Sequence, residues 1–455
     1  MAIPKRSLQG EWGGPFAFVF ALTGAAIGLG NLWAFPALVT EHGGGAFLLA
    51  YGGFLVLMVL PLWLAEIALG RSVRRTLPDG IYRMATSQGQ SGLWTGVGWL
   101  AVTMAGLLLV LQVMVGGALG AWLQAVAVDR SPVVDAVTTT RVFASLWAEP
   151  ERWLLWHTLM VGGACLVVGQ GLVLGTQRVM RGLVPAAFVL LAALVAWATQ
   201  WGSLAPAWER VFDVRFESLG WDGVQAAGEY ALFSTVVALG IATVYGAALS
   251  DRWPVLSSAG AALALDLLFA VLAALLVSIL LLPGGGGDGM SGPVLMLHVL
   301  PETMLGLPGG REATLALALL LLIVVFTTVI ALMQVVVGAV VEQGRVERIR
   351  ATALVGGVAW LTGVLALVAT TWWLNAGTGE AGLFTAVAGF AWVAIPAVAL
   401  LILAFTGWCV PAEVLRGALR LREDWRYDFW MPMLRYVAPL ILLALLARVS
   451  GALPL

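Results

Sequence analysis

Residues 23–36 read TGAAIGLGNLWAFP, an apolar run interrupted by Gly24, Gly28, Gly30, Pro36 and a lone Asn31. A helix break across Gly24–Gly30 frees backbone groups that a continuous helix uses internally. The carbonyls of Gly24, Ala26 and Ile27, with the side-chain oxygen of Asn31, then make a set of hard oxygen donors. Sodium and other hard cations take such ligands, whereas soft metals want thiolate or imidazole. The amides of Leu29 and Gly30, at the positive end of the half-helix that follows, suit a carboxylate. One unwound turn can therefore hold a cation and an anion side by side. A structural reading competes with this one, because Gly24 and Gly28 also form a small-xxx-small pair of the kind that serves close helix packing.

Three further features bear on that choice. Asp266 lies within AALALDLLFAVLAALL, a stretch with no other charge. A carboxylate at mid-membrane costs about 2.5–3.5 kcal/mol on insertion scales and needs a partner. A protonated aspartate bonded to a neighbouring helix is the alternative. Thr327 and Thr328 sit in LLLLIVVFTTVIALMQ with Val324 one turn before them. Two hydroxyls and a carbonyl converge there, although such hydroxyls commonly bond back to their own helix. Ser234 closes the first half of another apolar segment. Together these define two candidate cation sites. Site one takes the Ala26 carbonyl, Asn31, Ser234 and Asp266. Site two takes the carbonyls of Gly24, Ile27 and Val324 with the hydroxyls of Thr327 and Thr328.

These residues need elements that hold them at membrane depth, and the composition provides for that. Of 455 residues, 61% are hydrophobic and 11% charged, and the mean hydropathy is +0.96. A soluble domain carries about a quarter charged residues. The chain reads as an all-α polytopic membrane protein, since lipid-exposed backbone must satisfy its polar groups within helices. Apolar windows of about 20 residues predict about eleven spans: 15–38, 45–69, 93–127, 153–174, 183–201, 225–249, 255–283, 311–342, 351–373, 382–408 and 433–450. Basic residues fall 17 against 7 on the two sides, which predicts a cytoplasmic N-terminus and, with an odd span count, an extracytoplasmic C-terminus. The first 14 residues carry Lys5 and Arg6 but no small-residue cleavage site, so they form a cytoplasmic segment and span 1 is retained. Span 6, with EYALFSTVVALGIATVYG, carries a weaker break around Val236–Gly240. Two broken helices five spans apart predict an inverted repeat with a binding site at the breaks. The halves are spans 1–5 (15–201) and 6–10 (225–408), followed by a loop and span 11 (409–455). The loop at 202–222 and the glycine-rich 283–293 read as connections on the far side. Cys165 and Cys409 imply no disulfide, and the scattered His42, His157 and His298 read as surface or loop residues.

The order GLGN-x-W-x-FP at 28–36, then E-x-GGGAF from Glu41, then P-L-x-x-x-E-x-x-x-G-R ending at Arg71, resembles the neurotransmitter:sodium symporter family. The likeness runs from about residue 9 to 440. It implies the five-plus-five fold, alternating access, and sodium-coupled uptake of amino acids or their relatives by a multi-pass protein of the bacterial inner membrane. It also implies that the two cation sites belong to the positions named above.

Carried over residue by residue, the resemblance places substrate contacts at Ala26, Gly28, Leu29 and Gly30, at Ala105 and Leu109 on span 3, at Phe233, Ser234, Val236 and Leu239 on span 6, and at Thr328 and Leu332 on span 8. This lining is apolar, so the substrate is expected to be a hydrophobic amino acid or analogue. Gates are expected at Phe233 on one side and at Trp12 and Glu342 on the other. Several positions depart from the family. Ala34 replaces the outer-gate arginine, span 10 has no acid to pair with it, and Leu109 replaces the span 3 tyrosine that meets the substrate carboxylate. Gln9 stands where the family has the arginine that pairs with an acid such as Glu342. Glu66 is expected to brace the span 1 break, and Glu229 to stand in the outer vestibule. Chloride-dependent members have a serine at Ala270 and an asparagine at Asp266, so chloride independence is expected. No organic cofactor, no nucleic-acid partner and no enzymatic centre is expected; the oligomeric state is left open. Two other readings stand beside this one: a transporter-like sensor that binds a small ligand, and a proton-coupled carrier of a non-standard substrate working through Asp266.

Overall fold

A computed structural model describes residues 10–128, 149–282, 291–375, 383–421 and 425–449. Nine helices among these are long and apolar enough to cross a membrane, from Gly45–Val73 to Trp425–Arg448. The segments expected as spans 1 and 6 are not among the nine, because each is divided. Span 1 is Pro15–Ala26, then Leu29–Trp33 and Phe35–Glu41. Span 6 is Phe216–Ser234, then Ile241–Ala247. Both breaks fall where the sequence predicts them.

The packing follows the expected repeat. Span 1 lies against span 7 (Val255–Leu281) through both of its halves, and span 6 lies against span 2 (Gly45–Val73) in the same way. Exchanging each span with its counterpart five places along turns one of these contacts into the other. Span 5 on span 8 and span 10 on span 3 form a second such pair. Span 3 (Gly92–Val128) with span 8 (Gly310–Gly344), and span 4 (Pro150–Gly169) with span 9 (Arg348–Asn375), map onto themselves.

Two boundaries differ from the hydropathy reading. Span 5 runs Leu172–Ala198 rather than 183–201, since the helix continues through Arg178 and Arg181, which end an apolar window without ending a helix. Span 11 starts at Trp425, eight residues before the apolar run, with Arg426 and Asp428 in its polar first turn. The loop at 202–222 is also more than a connection. Its short helix Leu204–Phe212 leads to Val214, which bridges to Gly44 at the start of span 2. A Cβ on Gly43 would lie 2.3 Å from the Arg215 carbonyl, and one on Gly45 2.3 Å from that of Phe212. The run Gly43–Gly45 is thus the space that lets the loop dock on the membrane helix. Of the glycine-rich connection at 283–293, residues 283–290 lie outside the described ones.

One histidine contradicts its expectation. His157 is fully buried between spans 3, 4 and 9, stacked on Trp153 at 4.4 Å, with its ring nitrogens 3.1 Å from the Val113 carbonyl and 3.3 Å from that of Trp360. An imidazole fits inside a helix bundle when both nitrogens find such partners, which a sequence count of histidines does not reveal.

Candidate functional site

The span 1 break is built by its glycines. The Ile27 N–H closes the first half-helix on the Thr23 carbonyl at 2.8 Å, and Gly28 is extended (φ −132°, ψ 177°) before the chain turns helical again at Leu29. Asn31 straps the break: its Oδ1 accepts from the Gly28 N–H at 3.1 Å. Its Nδ2 donates to Asp266 Oδ1 at 2.9 Å. The other aspartate oxygen accepts from the Tyr51 hydroxyl at 2.9 Å, and that hydroxyl lies 3.4 Å from Ser234 Oγ. Asn31, Asp266 and Ser234, from spans 1, 7 and 6, are therefore one connected polar group in an apolar interior. Asn31, Asp266 and Ala26 are completely buried.

Tyr51 is the member that sequence reasoning missed. It stands in AYGGFLVLMVL on span 2 and packs edge-on to Phe35, with ring centroids 5.2 Å apart. A phenol inside an apolar run is the signal that could have found it, because a hydroxyl there must seek a partner.

Four residues of the second candidate site, Gly24, Val324, Thr327 and Thr328, lie close together. Thr327 Oγ1 donates to the Val324 carbonyl at 2.9 Å and Thr328 Oγ1 to the same oxygen at 3.2 Å. A Cβ on Gly24 would lie 3.6 Å from Thr327 Cβ and 2.6 Å from Val184. Span 1 thus approaches spans 5 and 8 closely at this point, and only glycine permits it. The packing role of Gly24 and a coordinating role for its carbonyl are compatible. Both threonine hydroxyls make the local back-bond in this structure.

The span 6 break is the more strained of the two. Val236 and Ala238 take left-handed backbone conformations (φ 47° and 62°), as does Gly240 (φ 79°). For a β-branched residue such a φ is a genuine outlier. Glu66 secures it: one carboxylate oxygen accepts from the Ala238 N–H at 2.7 Å, just before the half-helix Ile241–Ala247. Glu66 therefore braces the span 6 break and not the span 1 break. Span 2 packs against span 6 rather than span 1 at that level, which decides the matter. Glu229 forms an ion pair with Arg448 of span 11 at 3.2 Å.

The pocket positions Ala105 and Leu109 on span 3, Leu239 on span 6, and Thr328 and Leu332 on span 8 are all buried; Phe233, Val236 and Gly28 are half-buried. Both ends are closed. Phe233 meets Trp392 of span 10 with ring centroids 4.0 Å apart, in a helix that has no acid to offer. This partner of Phe233 was missed, since one aromatic residue in an apolar helix carries no sequence mark. At the basic end, Trp12 Nε1 donates to the Tyr245 carbonyl at 2.8 Å and its N–H to the Ala248 carbonyl at 3.0 Å. Glu342 accepts from the N–H and hydroxyl of Thr76 at 2.9 and 2.6 Å. The expected partner Gln9 lies outside the described residues. Arg71 ties the same end together, donating to the carbonyls of Ser250 and Ala418 at 2.5 and 2.8 Å.

With this geometry in view, the likenesses to known proteins are informative. Residues 9–121 match the model of the sodium:neurotransmitter symporter family. An uncharacterized sodium-dependent transporter of Bacillus subtilis, YhdH, is 24% identical over 97% of this chain and 98% of its own length. The sodium- and chloride-dependent glycine transporter 2 of Xenopus laevis is 42% identical, over 15% of this chain and 8% of its own. Among solved structures, MhsT in complex with L-phenylalanine shares the fold, with a TM-score of 0.83 at 24% identity, covering 97% of this chain and 99% of that one. The family match over both halves of the first break, the end-to-end relative and the common fold agree in what they liken this chain to, the sodium:neurotransmitter symporter family.

Proposed function

We propose that the protein is a sodium-coupled symporter of hydrophobic amino acids that works by alternating access, independently of chloride. The family it resembles is one of transporters and not of enzymes. The observation that carries the reading is the buried group Asn31–Asp266–Tyr51–Ser234 at the junction of the two broken helices. Its donors are hard oxygens, and both Asp266 oxygens accept hydrogen bonds, as an ionised carboxylate does. The Asn31 oxygen keeps a second lone pair beside the Gly28 N–H, so it can face a cation without releasing the break. That favours sodium over a proton at this group.

Substrate recognition follows from what lines the same turn. The amides of Leu29 and Gly30 are offered to a carboxylate, while Leu109, Leu239 and Leu332 leave an apolar slot for the side chain. The relative whose solved structure holds L-phenylalanine carries the same fold. In this reading sodium travels as cargo at two sites. Site one uses Ala26, Asn31, Ser234 and Asp266; site two uses Gly24, Ile27, Val324, Thr327 and Thr328. Site two joins span 1 to span 8 and would deform when those elements part. Sodium then favours the state in which they are together, because a ligand shifts an equilibrium only through differential affinity. In this reading the basic end faces the cytoplasm, the side that the arginine distribution favours.

The test is uptake of labelled phenylalanine and leucine into proteoliposomes with an inward sodium gradient and a potassium control. Accumulation in sodium alone is expected. Binding without accumulation, in the presence of counterflowing substrate, would replace transport with a sensor role. Uptake driven equally by a proton gradient would put Asp266 chemistry in sodium's place.

A further inference from the structure

Tyr230 belongs neither to the two candidate cation sites nor to the expected substrate contacts. It stands in Phe216–Ser234, the first half of span 6, four residues before Ser234 and therefore on the same face of the helix. Its ring is wedged between two aromatic neighbours, with centroids 5.3 Å from that of Tyr51 and 5.2 Å from that of Phe35. The wedge aims the hydroxyl at the start of the second half of span 1. A Cβ placed on Gly30 would lie 3.5 Å from the Tyr230 oxygen and 3.4 Å from its ring, and the nearest atoms across from that point all belong to Tyr230.

Tyr230 is 9% exposed, and its buried hydroxyl makes no hydrogen bond among the described residues. Ser234 stands beside it without completing one. The other polar groups of the junction are engaged: the two Asp266 oxygens receive Asn31 and Tyr51, and the Tyr51 hydroxyl lies 3.4 Å from Ser234 Oγ. A buried hydroxyl left in this state is costly, and here it borders the space that Gly30 leaves open by lacking a side chain.

The chemistry of that space selects its occupant. On one side are the N–H groups at the start of Leu29–Trp33, and on the other is an O–H. A carboxylate answers both, one oxygen to each, whereas an ammonium offers nothing that the N–H groups can bind. The span 3 position where the resemblance expects a tyrosine is Leu109, which is buried and brings no hydroxyl. We propose, resting on the amino-acid symport reading above, that Tyr230 determines specificity: its hydroxyl donates to the carboxylate of the transported amino acid, beside the amides of Leu29 and Gly30. Carboxylate recognition then belongs to spans 1 and 6, the two broken helices, and not to span 3.

The experiment is competition against labelled L-phenylalanine on the purified full-length protein in sodium. The competitors are unlabelled L-phenylalanine and phenylethylamine, which keeps the ring and the amine and lacks the carboxylate. The unmodified protein is expected to prefer the amino acid. Tyr230→Phe keeps the ring contacts and should cut that preference about tenfold or more, as the loss of a hydrogen bond to a charged group does. The inhibition constant of the amine, and the thermal stabilisation by sodium alone, should stay level. An unchanged preference in Tyr230→Phe, or an equal loss for both compounds, overturns the role of the hydroxyl and leaves the transport reading in place. A weakened response to sodium alone overturns it too, by giving the hydroxyl to the cation. If the unmodified protein binds neither phenylalanine nor leucine, the amino-acid reading falls and takes this proposal with it.

Discussion

At the scale of single residues, Asp266 carries the most consequence. It is fully buried and held by Asn31 and Tyr51, one donor to each oxygen. Breaking a buried charge pair typically costs about 3–5 kcal/mol, so if sodium is the third partner, the neutral Asp266→Asn variant should need at least tenfold more sodium for the same thermal stabilisation. A sodium dependence identical to that of the parent protein would remove Asp266 from the ion site. Tyr51→Phe tests the same group from its far side. A hydrogen bond to a charged group is worth about 1.5–3 kcal/mol, and its loss should lower the melting temperature and weaken sodium's effect together. Asn31 and Asp266 were legible in the sequence because a polar side chain inside an apolar run has few structural excuses. Tyr51 was not, because its ring reads as core packing and only its hydroxyl belongs to the site.

At the scale of elements, the two breaks differ in how they are made. Span 1 breaks at glycines, which announce themselves in sequence. Span 6 breaks at Val236 and Ala238, which occupy left-handed conformations costing about 1–2 kcal/mol each. That strain must be offset by something outside the segment, and the Glu66–Ala238 hydrogen bond is the visible candidate. Two variants of opposite sign follow. Glu66→Gln should lower the melting temperature by several degrees, because the buried carboxylate loses its charge against the start of Ile241–Ala247. Ala238→Gly should be neutral or stabilising by about 1 kcal/mol, since glycine adopts that conformation freely. If Ala238→Gly destabilised as much as Glu66→Gln, strain would not be what Glu66 offsets. The long spans were legible from hydropathy alone. Their ends were not where arginines continue a helix, as in span 5, or where a polar first turn precedes the apolar run, as in span 11.

At the scale of the whole molecule, the structure is closed at both ends, and the two closures differ in kind. One is an aromatic pair, Phe233 with Trp392; the other, at the basic end, is a set of hydrogen bonds, Trp12 to Tyr245 and Thr76 to Glu342. In the proposed alternating access each opens while the other holds, so weakening either should shift the population in a defined direction. Trp392→Ala removes an aromatic contact worth about 0.5–1.5 kcal/mol; it should favour the form open at that end, speeding release of bound label roughly two- to tenfold while leaving both proposed sodium sites intact. Thr76→Ala removes a hydroxyl bond to a carboxylate worth about 1.5–3 kcal/mol and should favour the form open at the basic end, in which, on the proposed mechanism, span 1 leaves span 8 and the proposed site two comes apart. The sodium concentration for half-maximal substrate binding should then rise about tenfold or more in Thr76→Ala and stay level in Trp392→Ala. Equal shifts in both variants would mean that sodium does not distinguish the two open states, and site two would lose its place as the element that couples the ion to the rocking of the bundle.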